Sequence, residues 1–383
     1  MRILQVVTYI SPDGAYGGPV RVAINQAKAL SEMGHEVVVA AAAGGFEGPL
    51  PDAFDGFPVH LFPARRVIPK SGFAGLTSPS LLNWFRGAMR NVDVIHVHLA
   101  RDLVTLPVAA IALLAKKPLV VQTHGMIDHT DNVLGVPLDR ILTRPVLRAA
   151  RCVMYLTDRE QADLIDVAGA NLRLAHLPNG VPLPESPATE HAQGPHVAPE
   201  ALYLARLHPR KRPLVFVRAA GALSTVFPTA RFSLVGADEG EGKAVHAALQ
   251  RQNGIGRITW SGSVAPEKTL ERMRKAAVYV LPSTDEPFPM AVLEAMSLGL
   301  PVIVTDTCGL APMVQEQSAG IVCSDDPEDV ERALARLLAD PELRLEMGYH
   351  ARRAVKKTYS MPSVAAKLLS IYTTAYKLKE SPA

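Results

Sequence analysis

Two glutamates, Glu286 and Glu294, stand with seven residues between them. A carboxylate accepts hydrogen bonds from a pair of sugar hydroxyls, and two carboxylates can hold two rings of one ligand. The segment around them predicts a strand, a loop, a helix and a second strand. Val278-Tyr279-Val280-Leu281 is a short apolar run closed by Pro282-Ser283, and Thr284-Asp285-Glu286-Pro287 is a polar loop. Apolar residues then recur at helical spacing (Met290, Val292, Leu293, Met296) up to Gly299, and Val302-Ile303-Val304 follows Pro301. In such a βαβ unit a ligand is expected where the first strand ends and the helix begins. There free N–H groups and the positive end of the helix dipole attract phosphate.

Other side chains could serve the same chemistry. Arg206 and Lys211 follow the apolar run Ala201–Ala205. Placed at a strand's carboxyl end they either form a solvated basic loop or grip a diphosphate, Arg206 by its planar fork and Lys211 as a point charge. His124 ends the run Leu119–Thr123 just before Gly125, in either a structural or a ligand-facing role. Gly14, Gly17 and Gly18 follow the first strand without dinucleotide-fingerprint spacing, as a tight turn or a close approach to an anion. His96 and His98 share a strand face but lack an obvious third ligand, so no metal is expected there, and Asp325-Asp326 is expected to cap the helix near Pro327. Arg140, Arg144, Arg148 and Arg151 share one face of a predicted helix from Asp139 to Arg151. That face is either solvated or suited to anionic lipid headgroups or a lipid-diphosphate acceptor.

The elements that position these groups alternate strand and helix along 383 residues, enough for two α/β domains. A formal charge of +3 is too small to argue for nucleic acid as a partner. Cys152, Cys308 and Cys323 are widely spaced in or beside apolar runs, as expected of reduced thiols. The chain enters a strand at Arg2 without a signal-peptide pattern, and Leu103–Ala115 is too short an apolar run to span a bilayer. The expectation is a cytoplasmic protein, soluble or at most peripheral to a membrane.

The spacing of Glu286 and Glu294, continued by Ala295-Met296, Gly299 and Pro301-Val302, resembles family 4 of the retaining glycosyltransferases. Further landmarks match in order over nearly the whole chain: Gly17-Gly18, Thr123-His124-Gly125, Pro178-Asn179-Gly180-Val181, Arg206 with Lys211, Val235-Gly236, and Gly262 within Trp260–Val264. The resemblance implies a GT-B fold, two facing Rossmann-like domains with a deep interdomain cleft. Residues 1–180 would bind the acceptor, 181–199 would be a linker, 200–362 would bind the donor, and helix 363–383 would pack back on the first domain. It also implies transfer of a sugar from a nucleotide-diphosphate donor (UDP favoured, GDP possible) to a hydroxyl of a glycan or lipid-linked acceptor. Configuration would be retained, with no metal or cofactor, in polysaccharide or glycoconjugate synthesis at the inner membrane face. Arg206 and Lys211 would hold the diphosphate, Glu294 the ribose, and Gly236 and Gly262 the base pocket. Glu286 would hold the sugar with the N–H groups of Phe288, Met290 and Ala291, Gly17 and Gly18 would lie beside the diphosphate, and His124 would donate to the sugar. Three departures stand out: Arg212 and Pro289 replace usual glycines, and Leu310 replaces a frequent glutamate. The rival readings are a nucleotide-sugar epimerase or phosphorylase on this fold, and a non-catalytic nucleotide-sugar-binding protein.

Overall fold

The computed structural model describes residues 1–12, 17–69, 72–130, 135–186, 198–251, 257–265 and 268–378. Gly14 of the first glycine loop, residues 187–197 of the expected linker and residues 379–383 lie outside the described residues. The chain divides into two units, Met1–Gly180 with Met361–Ala383, and Val181–Ser360.

The first unit is built on β1 (Arg2–Ile10), β2 (Glu36–Ala43), β3 (Ala53–Phe54), β4 (Phe57–Pro63), β5 (Arg65–Arg66), β6 (Leu76–Thr77), β7 (Val94–His98), β8 (Leu119–Gln122), β9 (Cys152–Tyr155) and β10 (Leu174–His176). Eight of these form one sheet in the order β10-β9-β8-β7-β1-β2-β4-β3, parallel except for β3 against β4. The chain leaves β1 toward β2 and returns on its other side as β7, which makes the β1/β7 boundary a switch point where α/β sheets open a ligand crevice. β7 and β8 are wholly buried, as strands covered on both faces must be. The helix Met361–Lys377 completes this unit: Val364, Ala365, Leu368 and Tyr372 share a core with Ile3, Val94, Val120 and Met154.

The second unit holds β11 (Glu200–Leu204), β12 (Arg231–Val235), β13 (Ile258–Trp260), β14 (Val278–Leu281), β15 (Val302–Thr305) and β16 (Gly320–Cys323), all parallel in the order β13-β12-β11-β14-β15-β16. Its switch point lies between β11 and β14, the strands that precede Arg206 and Glu286.

Three local expectations change. Gly17 and Gly18 open the helix Gly17–Glu32 instead of standing in the loop before it, since Pro19 suits a first turn that needs no N–H. The segment Asp139–Arg151 is not one regular helix. Asp139–Thr143 is a π turn, Arg144–Ala149 is α-helical, and Arg151 lies beyond the helix, so four-residue spacing no longer stacks the arginines on one face. Val181 is fully buried, and its N–H donates to the carbonyl of Tyr359 at 2.9 Å, so the linker's first residue is held within the second unit. Asp326 does cap the helix Pro327–Ala339, accepting from the Glu328 N–H. Among the described residues no helix is long and apolar enough to cross a membrane.

Candidate functional site

In the second unit the strand-end residues converge on one carboxylate. Glu286 is nearly buried, and its Oε2 accepts from Lys211 Nζ, with Arg210 Nη2 at 3.6 Å. Lys211 arrives through a short 3-10 turn, Pro209–Lys211, capped by His208. Arg212 then takes φ 51°, a left-handed conformation that glycine adopts without strain. This explains the usual glycine, and the Arg212 guanidinium turns away to the carbonyl of Asp325 at 2.5 Å. Arg206 is not drawn into this cluster. Its side chain is 64% exposed and paired with Glu239 at 2.6 Å.

The helix Met290–Ser297 begins without a side-chain cap, so its first N–H groups, at Met290 and Ala291, are left for an outside acceptor. Pro289 is the residue before the helix, at φ −75° and ψ 103°, where the missing N–H is least felt. Phe288 packs toward Tyr359, with ring centroids 6.3 Å apart. Glu294 is half-buried one turn into the helix. The Tyr279 hydroxyl, which donates to the carbonyl of Leu204, is pushed far up by burial, and Tyr203, Glu294 and Glu286 add to the rise. Both carboxylates therefore act on one ring. Leu310, which stands where the family often has glutamate, is a core residue.

Gly236 and Gly262 meet: the Gly236 N–H donates to the Gly262 carbonyl at 2.6 Å, and Trp260 Nε1 donates to the Gly236 carbonyl at 3.0 Å. A Cβ on Gly236 would stand 1.9 Å from the Ala205 carbonyl oxygen, so only glycine lets this turn lie against the backbone that leads into Arg206.

In the first unit His124 follows β8 at φ 54°. A left-handed histidine needs restraint, and Glu160 supplies it. Glu160 Oε1 accepts from Thr123 Oγ1 at 2.5 Å and from the Gly125 N–H at 2.5 Å, one contact on each side of His124, while Oε2 accepts from the Leu156 N–H at 2.6 Å. The imidazole is held as well, with His124 Nε2 2.8 Å from Nδ1 of fully buried His98. Burial lowers His124 and His96 to about 3 and His98 well below its ordinary value, so all three rings are neutral near pH 7. Glu160 was missed from sequence, although Thr157-Asp158-Arg159-Glu160 is a capping-box pattern and Thr157 does accept from the Glu160 N–H. Gly18 is exposed at its helix start, with no atom within 4 Å of a built Cβ.

Of the four arginines, Arg148 Nε donates to the Ala168 carbonyl at 2.7 Å and Arg151 Nη1 to that of Ala375 at 2.7 Å, so both are engaged within the unit. Arg140 and Arg144 remain exposed, beside exposed Val136 and Ile141. Among the described residues no three His, Cys, Asp or Glu side chains are placed to hold a metal ion.

Two doubly wound parallel sheets in series, with basic and acidic residues at the ends of their switch-point strands, define the GT-B class. The model of group 1 glycosyl transferases matches residues 190–354, and that of glycosyltransferase family 4 matches residues 16–185. A D-inositol 3-phosphate glycosyltransferase of Kribbella flavida is 30% identical over 311 residues, covering 74% of this chain and 71% of that one. A phosphatidyl-myo-inositol mannosyltransferase of Mycolicibacterium smegmatis is 27% identical over 367 residues, covering 94% and 90%. Among solved structures, HepE of Anabaena in complex with UDP and glucose superposes with a TM-score of 0.71 at 19% identity, over 96% of this chain and 99% of that one. The chain belongs to the group 1, family 4 glycosyltransferases. It is an enzyme that transfers glycosyl groups.

Proposed function

We propose that the enzyme moves a hexose from a nucleotide diphosphate, with UDP favoured, to a hydroxyl of a phosphate-bearing polyol or lipid-linked acceptor, retaining anomeric configuration and using no metal. The ion pair of Lys211 with Glu286 beside the uncapped start of the helix Met290–Ser297 carries this reading. A cation beside free N–H groups suits a leaving diphosphate, which gains charge in the transition state. Arriving phosphate takes Lys211 Nζ from Glu286, and the released carboxylate accepts from sugar hydroxyls. Arg206 leaves Glu239 for the diphosphate, Glu294 holds the ribose, Gly236 and Gly262 border the base, and His124 meets the sugar. Gly17 and Gly18 supply N–H groups at the start of their helix. The polyol-phosphate acceptor follows from the names of the two relatives, and the UDP preference is supported by the ligand of the Anabaena structure. Exposed Val136 and Ile141 beside Arg140 and Arg144 suit peripheral contact with an anionic membrane, where apolar residues enter the headgroup layer and cations meet phosphate. Co-sedimentation with anionic vesicles, lost in a double Arg140→Glu, Arg144→Glu variant, is the expected outcome there.

The central test is calorimetric titration with UDP, GDP, ADP and NAD, wild type beside Glu294→Ala, followed by turnover with sugars of the base that binds. Binding of one nucleoside diphosphate, lost in the variant, supports the site. Binding of NAD alone, or an unimpaired Glu294→Ala protein, sinks it. Anomeric analysis of the product by NMR decides retention, and full turnover after exhaustive chelation is expected.

A further inference from the structure

Behind His124 a chain of polar side chains runs through the buried middle of the first unit to its closing helix. β1 and β7 are parallel with Gln5 opposite His96, which places Gln5, His96 and His98 side by side, all buried. The His96 and His98 rings stack with centroids 4.2 Å apart. His124 Nε2 lies 2.8 Å from His98 Nδ1, and His98 Nε2 lies 3.4 Å from Gln5 Oε1. Gln5 Nε2 donates to the Tyr372 hydroxyl at 3.3 Å, and that oxygen is 2.7 Å from His96 Nδ1.

Only one member of this chain has chemically distinct donor and acceptor ends: the amide of Gln5. Its oxygen carries no proton, so His98 Nε2 must donate to it. A neutral imidazole has one N–H, which leaves His98 Nδ1 bare, and the proton in its contact with His124 must come from His124 Nε2. His124, also neutral, then has a bare Nδ1. On the other side, Tyr372 accepts from Gln5 and donates to His96 Nδ1, which puts the His96 proton on Nε2. That atom is buried with no partner among the described residues, the point where a directed chain runs out.

We infer that Gln5, His98 and Tyr372 are positioning residues that fix His124 as its Nε2–H tautomer, so that its Nδ1 faces ligand as a hydrogen-bond acceptor and selects an O–H donor. This reverses the donor role that the family resemblance assigns to His124, and it rests on the reading that His124 meets the sugar. The amide contacts, at 3.3 and 3.4 Å, are the longest in the chain, which makes Gln5 the place to test it.

The experiment is long-range proton–nitrogen correlation NMR on the ligand-free protein with ring-labelled histidine, His124 being assigned by its loss in His124→Gln. The wild type is expected to show a protonated Nε2 and a bare Nδ1. Gln5→Leu, which erases the direction of the chain, is expected to give a mixture of tautomers and a kcat lower by up to about 10²-fold with donor KM little changed, as a small misplacement of a reacting partner does. A proton on Nδ1 in the wild type overturns the inference without needing any variant to fold. A Gln5→Leu protein with unchanged tautomer and unchanged kcat overturns it too. The underlying reading fails separately: if no nucleotide sugar that is turned over moves the His124 resonances, His124 is not at the sugar, whatever its tautomer.

Discussion

The turns after β8 and after β14 solve one problem in opposite ways. Each follows a buried parallel strand at a Rossmann-like sheet, and each carries a non-glycine residue in the left-handed region, His124 at φ 54° and Asp285 at φ 49°. The first is fixed without a ligand. Glu160 ties down three groups around it, and a neutral imidazole is bonded through to the sheet interior. In the second, the Thr284 N–H donates to the Arg210 carbonyl and the Asp285 N–H to Thr307 Oγ1, and the charges of Lys211, Arg210 and Glu286 gather next to a helix start with no cap. Hydrogen bonds from backbone and hydroxyl groups to one buried carboxylate hold the first turn in a fixed shape. The second keeps a cation and a carboxylate paired to each other beside a helix start with no cap.

The sharpest way to break this contrast is to remove Glu160. Glu160→Ala leaves the Leu156 and Gly125 N–H groups and the Thr123 hydroxyl without their acceptor, and should cost about 4.5 kcal/mol or more, since hydrogen bonds to a buried charged group contribute roughly 1.5–3 kcal/mol each. Urea unfolding measures it, and a loss under about 1 kcal/mol would mean that the turn is not held from below. Lys211→Ala should act on turnover more than on folding. Losing one preorganised charge at the leaving group costs about 10²–10³ in kcat, and single-turnover kinetics would show whether the chemical step carries the loss.

Acid bears on the three histidine rings of the first site. His96, His98 and His124 are depressed below the ordinary 6.5, His96 and His124 to about 3. Between those values the unfolded chain binds protons that the folded chain does not, so stability falls as pH drops from about 6.5 toward 3. Each histidine adds up to about 1.4 kcal/mol per pH unit to that slope. His96→Phe should flatten it in equilibrium unfolding across that window, and an unaltered slope would show that the ring titrates normally. The smallest effect belongs to Glu239→Gln. Its pair with Arg206 is exposed, so stability should change by less than about 1 kcal/mol while donor affinity rises slightly.

The sequence carried the frame of both sites, because β-branched runs and their stop signals are local. Val278–Leu281 forms β14, the helix starts at Met290, and Gly299 ends it at φ 80°. The basic segment misled for an equally local reason: four-residue spacing assumes an uninterrupted α-helix, and the π turn Asp139–Thr143 breaks the count. The partners of His124 were out of reach. Tyr372 lies 367 residues from Gln5 along the chain, and nothing in the spacing of either announces the contact. Glu160 had a visible signature, but as a helix start; only folding reveals that the same carboxylate reaches the strand before His124. Arg206 and Lys211, close in sequence, pair with different carboxylates, Glu239 and Glu286, and spacing alone does not announce either partner.

The return of the helix Met361–Lys377 to the first sheet also sets a timetable. Val364, Leu368 and Tyr372 belong to the core of the unit that begins at Met1. During synthesis that unit cannot close its core when Gly180 emerges; it must wait for the 180 residues from Val181 to Ser360 and then for the helix itself. At ~5–20 residues per second the nascent first unit stands incomplete for about 10–40 s, with apolar side chains of β7 and β8 uncovered, while the second unit can fold at once. The half of the molecule made first is therefore the half finished last, and the chaperone-exposed interval of this chain belongs to its amino-terminal sheet.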